Sequence, residues 1–320
     1  MTKTRMITLS TAALLAVAAL AGCNGNTSST SSASGNSSTA GESSSADNGS
    51  STATAGKLTS AITVVSREDG SGTRGAFVEL MGIEQKNEAG EKEDMTRGDA
   101  EISNSTNGVM MSVAGNVDAI GYISLGSLND TVKALDVNGV ECSVADIKSG
   151  SYVVARPFNL CYQQAKLDGN AAASDFVKYI KSVEGQQIIS DGGYISIDAT
   201  ENYASSGVTG AVSLNGSTSV GPIMEKLAEA YKALNPDVSI DIQQTGSGSG
   251  ITSATEGTCD IGMSSRELKQ EELDAGLTEL KIADDGIAVI VNLENPIENI
   301  TSDEIMKIYT GEINKWDELA

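Results

Sequence analysis

Val238-Ser-Ile-Asp-Ile242, Gly246-Ser-Gly-Ser-Gly250, Ile251-Thr-Ser-Ala-Thr-Glu256 and Asp260-Ile-Gly-Met263 follow one another along the chain. The first piece alternates apolar and polar residues as a strand does, and the small-residue loop leads into a helix from Ile251 to about Glu256. Asp260 to Met263 then reads as the next buried strand. The same order occurs upstream: Ala211-Val-Ser-Leu214, the loop Gly216-Ser-Thr-Ser219, and a helix with Ile223, Leu227, Ala230, Tyr231 and Leu234 on its apolar face. It occurs again from Ala61-Ile-Thr-Val-Val-Ser66 through Arg67-Glu-Asp-Gly-Ser-Gly-Thr73 into Arg74 to Leu80, where Phe77 and Leu80 sit at helical spacing. Alternating strands and helices predict an α/β protein with largely parallel sheets.

Each of these three loops ends at the start of a helix. A helix start exposes free N–H groups and the positive end of the macrodipole, glycines let the backbone come close, and hydroxyls add short donors. One such loop is equally an N-cap with turn glycines; three of one composition point to an anion. Gly70-Ser-Gly-Thr-Arg-Gly75 also fits G-x-G-x-x-G after a strand. Glu88 and Glu91, at the distance of a ribose ligand, lie in a charged loop rather than at a strand end, which argues against a dinucleotide. No Walker lysine follows any of the loops. Anion binding without nucleotide chemistry fits better.

Composition narrows the field. The chain has 320 residues with 21 Lys+Arg against 43 Asp+Glu, a formal charge of −22 that repels phosphate backbones, so nucleic acid is not expected as a partner. With no His, a Ser/His/Asp triad and a His-ligated zinc site are excluded. Glu88, Glu91, Glu93 and Asp94 lack the spacing of an EF-hand and read as a solvated loop. Asn107 to Gly115 reads as a helix packing Val109, Met110 and Val113, followed by the buried strand Ala119 to Ile123, so these methionines are expected to be core. No cofactor and no metal site are expected.

The first residues read as an address. Lys3 and Arg5 precede an apolar centre, Ala12 to Leu20, too short for a comfortable span, and Leu20-Ala21-Gly22-Cys23 follows. Residues 1–22 are expected to be a signal peptide, with an ordinary signal peptide or an uncleaved anchor as the alternatives to a lipoprotein signal. Residues 23–57 are mostly Ser, Thr, Ala, Gly and Asn beyond Cys23 and cannot bury enough surface to fold. They are expected to form a tether with an end-to-end distance of roughly 30 Å. Cys142, Cys161 and Cys259 are widely spaced and read as buried thiols.

Val64-Val-Ser-Arg-Glu-Asp-Gly-Ser-Gly-Thr73, Gly216-Ser-Thr-Ser-Val-Gly-Pro222, Gly246-Ser-Gly-Ser-Gly250 and Asp260-Ile-Gly-Met-Ser-Ser-Arg266 together resemble motifs of the phosphate-binding lipoproteins that feed bacterial ABC phosphate importers. Leu20 to Cys23 resembles a bacterial lipobox, with Cys23 the lipidated residue. The resemblance covers nearly everything after residue 58. It implies a two-lobed type II periplasmic-binding-protein fold, inorganic phosphate as ligand and the membrane subunits of an ABC permease as partners. It further implies a lipid anchor at the outer face of the bacterial cytoplasmic membrane, a monomer, and no enzyme activity.

One departure is the order of the motifs. In the family, those containing Gly216, Gly246 and Asp260 come first, and the Arg67 to Thr73 motif follows a segment like Tyr309-Thr-Gly-Glu-Ile-Asn-Lys-Trp-Asp-Glu-Leu319. Here that segment comes last, so the order resembles a circular permutation. The expected lobes are 58–155 and 156–320, with Lys57 and Ala320 close together near the hinge. A rearranged gene, or a swapped dimer completing each fold in trans, would give the same order.

By resemblance the phosphate ligands are Arg67, Ser71, Gly72, Thr73, Thr218, Ser219 and Ser247, with Asp69 holding the Arg67 guanidinium. Ser265 stands where well-known members place an Asp that accepts the proton of hydrogen phosphate. Rejection of sulfate is therefore expected to be weaker than binding of phosphate. Asp69, Asp284 and Asp285 are the candidate replacement acceptors, and Arg266 is expected to face solvent. Two other functions fit the same residues: a receptor for another tetrahedral oxyanion such as sulfate, and an anion sensor or surface interaction protein without transport.

Overall fold

The computed structural model describes residues 58–87 and 90–319. The expected signal peptide, Cys23, the tether, Lys57, Glu88 and Ala320 lie outside the described residues. No helix among the described residues is long and apolar enough to cross a membrane.

Eight strands carry a ten-stranded sheet: β1 (Thr63–Arg67), β2 (Glu101–Ser103), β3 (Ala119–Ser124), β4 (Ala155–Gln163), β5 (Gly210–Gly216), β6 (Val238–Gln244), β7 (Ile261–Ser264) and β8 (Leu277–Val291). Their order across the sheet is β6-β5-β7-β4-β8-β3-β1-β2, and the short strands Lys133–Ala134 and Ile195–Ser196 pair onto β8. Only the two ends of the sheet have the expected parallel pairing: β6, β5 and β7 at one, β3, β1 and β2 at the other. The centre is antiparallel, because β4 and β8 run past each other between the two ends.

Helices α1 (Gly72–Leu80), α2 (Thr106–Ala114), α3 (Ala171–Lys181), α4 (Val183–Asp191), α5 (Gly221–Leu234), α6 (Ser247–Glu256) and α7 (Ser302–Thr310) cover the sheet. Local chemistry sets their ends. Ser71 caps α1 and Ser105 caps α2 with side-chain oxygens that accept from Arg74 N and Gly108 N. Thr301 and Glu304 form a reciprocal capping box on α7, which stops at Gly311 in the left-handed region. The buried face of α5 is Ile223, Met224, Leu227, Ala228 and Tyr231, while Leu234, expected on that face, is exposed at the last turn.

Two large hydrophobic cores, with a small third cluster around Cys161, Ile251 and Leu277, form among the described residues. The first joins Ile62 to Val154 with Ile287 to Trp316; the second runs from Phe158 to Ala283. The expected boundary of 58–155 and 156–320 is therefore corrected at its far side, where residues 287–316 pack with the first half. The five consecutive residues Ile287–Val291 of β8 are all buried in core one. At about 1.5–3 kcal/mol per large apolar side chain, this stretch alone binds the end of the chain to that half. Cys142, Cys161 and Cys259 are free and buried.

Segments near the two ends of the described chain meet. Ala61 and Lys315 form an antiparallel bridge, Ile62 N donates to Asn314 O at 2.8 Å, and Trp316 N donates to Ser60 O at 3.2 Å.

Candidate functional site

The loops that follow β1, β5 and β6 face one another where the two halves meet. From the first half come Arg67 to Thr73 and the start of α2; from the second come Ser217 to Ser219, Ser247 and Ser265. Arg67 Nη2 donates to Thr218 Oγ1 at 3.0 Å, and the Thr73 and Ser219 hydroxyls are 3.0 Å apart. Thr106 Oγ1 lies 3.3 Å from both Thr218 and Ser219. Ser265 Oγ accepts from Ser217 Oγ at 2.9 Å and lies 3.3 Å from Ser247 Oγ, while Ser265 N donates to Ser247 Oγ. Backbone closes the same seam through Gly248 N, which donates to Gly70 O at 2.9 Å.

All these side chains are buried. Gly72 is required by space: a Cβ there would stand 2.5 Å from Ser247 Oγ and 2.8 Å from Ser265 Oγ. The structure thus brings together Arg67, Gly72, Thr73, Thr218, Ser219, Ser247 and Ser265, with Ser71 buried beside them as the cap of α1. Gly246 turns with φ +98° and α6 begins at once with Ser247, earlier than the expected Ile251. Gly250 in its first turn packs on strand β5, where a Cβ would meet Asn215 O and Gly216 Cα at 2.5 Å. The starts of α1, α2 and α6 and the turn into α5 all contribute groups to this cluster.

A rigid platform supports the Arg67 loop. Phe77 stacks on Tyr122 with ring centroids 3.9 Å apart, and Tyr309 packs edge-on against Phe77. Tyr122 OH accepts from Arg67 N at 3.2 Å, and burial pushes this phenol up to about 12, so it stays protonated. Arg74 clasps the loop by donating to the Arg67 carbonyl at 2.9 Å, and is itself held by Asp94 at 2.7 Å.

The expected role of Asp69 is overturned. Its side chain is 98% exposed and pairs with Arg74 at 2.9 Å. Glu68 holds Arg67 instead, accepting from Nε at 2.8 Å and Nη2 at 2.9 Å. Asp94, expected in a solvated loop, is half-buried against Arg74. Arg266 pairs with Glu272 at 2.7 Å rather than facing solvent freely. Asp284 pairs with Lys281, and Asp285 is buried against Arg156, so neither is a partner of Ser265 in this structure.

Thr106 and Ser217 were missed. Ser105-Thr-Asn-Gly108 is a fourth small-residue loop entering a helix, the same signal as the other three, and Ser217 lies inside the quoted Gly216 loop. The cluster offers one guanidinium, seven buried hydroxyls in two hydrogen-bonded groups and several helix starts. It suits an oxyanion that presents several oxygens at once.

Comparison with known proteins gives the family. The PBP superfamily domain matches residues 43–184 and 201–320. Phosphate-binding protein PstS 2 of Streptococcus agalactiae serotype V is 46% identical over 259 residues, 81% of this chain and 88% of that protein. The protein of the same name from Streptococcus pneumoniae serotype 4 is 45% identical over 270 residues, 84% of this chain and 91% of its own. The crystal structure of a phosphate ABC transporter phosphate-binding protein from Streptococcus pneumoniae aligns with TM-score 0.65 at 46% identity, covering 82% of this chain and all of that one. The chain belongs to the PBP superfamily and, within it, to the family of phosphate-binding proteins with the type II periplasmic-binding-protein fold.

Proposed function

We propose that this protein captures inorganic phosphate between its two halves and delivers it to the membrane subunits of an ABC importer. The observation that carries the reading is the buried cluster in which Arg67 and Thr73 of one half meet Thr218 and Ser219 of the other. Arg67, Ser71, Gly72, Thr73, Thr218, Ser219, Ser247 and Ser265 are the proposed ligands, with Thr106 added and Glu68 as the clamp on Arg67. Charge-assisted hydrogen bonds contribute about 1.5–3 kcal/mol each, so several support micromolar or tighter binding after association costs. Because the chain is so acidic, capture rests on these local donors rather than on long-range attraction.

A second reading, a receptor for another tetrahedral oxyanion such as sulfate, is favoured by Ser265. Its hydroxyl sits among Ser217 and Ser247 and carries no charge to repel a fully ionised anion. Equilibrium dialysis of phosphate-stripped protein against labelled phosphate, with sulfate as competitor, separates the two. Phosphate retained in excess sulfate supports the first reading; equal displacement supports the second.

The exported location, the lipid on Cys23 and the monomeric state complete the proposal. Cys23→Ala is expected to release the protein from cell membranes. The permuted order is likewise proposed, supported by the order of the motifs and by the pairing of residues 60–62 with 314–316.

A further inference from the structure

Between its two cores the described chain crosses twice, once at residues 155–157 of β4 and once at 284–286 of β8. The two crossings are paired with each other, and Arg156 stands opposite Asp285. Both side chains are almost wholly buried, at 1% and 0% exposure, and they touch through a single contact, Arg156 Nη2 to Asp285 Oδ2 at 3.3 Å. Arg156 Nε and Nη1 have no hydrogen-bond partner, while the Asp285 carboxyl is also approached by the Ser124 hydroxyl and the Gly126 N–H.

These groups belong to both halves. Ser124 ends β3 and, with the turn Leu125–Ser127, lies on the core-one side; Tyr194 belongs to core two. The Ser124 hydroxyl stands beside both the Asp285 carboxyl and the Tyr194 phenol. Tyr194 reaches so close to the turn that a Cβ on Gly126 would be 2.5 Å from its oxygen. Arg156 is also within electrostatic reach of Arg67 in the anion cluster. A buried ion pair is costly to desolvate, and leaving two of the three guanidinium nitrogens unpaired adds to that cost. Such a pair is weak evidence for stability and calls for another account.

We propose that Arg156 and Asp285 are positioning residues for anion capture, a buried ion pair at the two chain crossings among the described residues that sets the angle between the lobes and with it the affinity for phosphate. The proposal rests on the phosphate reading for its ligand. A receptor whose binding-competent form is only partly populated loses apparent affinity by that fraction. Breaking the pair widens the distribution of lobe angles and lowers that population.

The test compares wild type with Arg156→Met, Asp285→Asn and the double variant Arg156→Met/Asp285→Met, using phosphate titration, thermal melting and small-angle scattering without ligand. A purely structural pair predicts that the single variants melt early because one charge is left buried, and that the apolar double variant recovers both stability and phosphate affinity. The positioning role predicts that the double variant recovers its melting temperature but still binds phosphate about tenfold more weakly and scatters as a wider particle. Affinity within twofold of wild type in the folded double variant would overturn the proposal. Should the charged-pair variants fail to fold, Tyr194→Phe is expected to shift affinity two- to fivefold at unchanged melting temperature, and no shift would count against the proposal. A wild type that bound no phosphate would remove the phosphate reading alone. The scattering then decides: ligand-free profiles of variant and wild type that superimpose would sink the positioning role.

Discussion

Arg67 Nη2 and Thr218 Oγ1, 151 positions apart in sequence, meet at 3.0 Å across the seam between the two halves. The guanidinium that reaches Thr218 is held by Glu68, and the backbone N–H of Arg67 is held by the Tyr122 hydroxyl. Thr218→Ala and Thr106→Val each remove one neutral hydroxyl from this seam. At about 0.5–1.5 kcal/mol for such a hydrogen bond, each is expected to weaken phosphate binding about two- to tenfold in calorimetric titration. An unchanged affinity in both would remove these hydroxyls from the site.

Glu68 and Asp69 should behave differently although they are neighbours. Glu68→Gln loosens the two-point hold on Arg67 and is expected to reduce affinity about tenfold, whereas Asp69→Ala touches an exposed carboxylate and should leave it within twofold. The reverse ranking would restore the role that the family resemblance implies for Asp69.

Gly72→Ala places a methyl group 2.5 Å from Ser247 Oγ. The halves can separate to relieve that contact, so the variant is expected to fold with a melting temperature near wild type and to lose phosphate binding by two orders of magnitude. A crystal structure of Gly72→Ala with the Thr73–Ser219 contact intact would contradict the steric argument.

Burial raises the Asp285 carboxyl from an ordinary 3.8 to about 6, an effect that the adjacent Arg156 only partly offsets. The folded protein therefore holds this proton more tightly than the unfolded chain does. The contribution to stability is fully present below about pH 4 and is lost as pH rises through about 6, on the order of 2–3 kcal/mol across that window. Melting curves between pH 4 and 7 should show wild type losing stability relative to Asp285→Asn over this interval. A constant difference between the two would place the carboxyl at its ordinary value.

Chain order can be tested by reversing it. Joining the segment after Leu319 to Leu58 with a short flexible linker, and opening the chain between Gly207 and Val208 in an exposed loop, retains every strand pair described above. That variant is expected to fold and bind phosphate within about threefold of wild type. Failure to fold would show that the native order is needed for more than connectivity.

Much of this was legible from loop chemistry. The Gly216, Gly246 and Arg67 loops were legible together: one small-residue loop between a strand and a helix is an ordinary N-cap, but three of one composition point to an anion. The start of α6 was misplaced because Gly248 and Gly250 look like loop residues; Gly250 is helical there because strand β5 leaves no room for a side chain. Glu68 and Asp69 could not be told apart, since which of two adjacent carboxylates faces the guanidinium depends on a turn that Gly70 makes with φ +82°. Residues 287–316 were assigned to the wrong half because β8 is one continuous strand serving two cores, and no local signal marks where it passes from one to the other.

Calorimetric titration of phosphate-stripped wild type and Arg67→Ala with phosphate tests the central claim most directly. Arg67 is the one cation in the cluster, and a fork of charge-assisted hydrogen bonds at about 1.5–3 kcal/mol each predicts micromolar or tighter binding that weakens at least a hundredfold in the variant. A folded wild type that releases no heat with phosphate, or an Arg67→Ala protein that binds it equally well, would contradict the account.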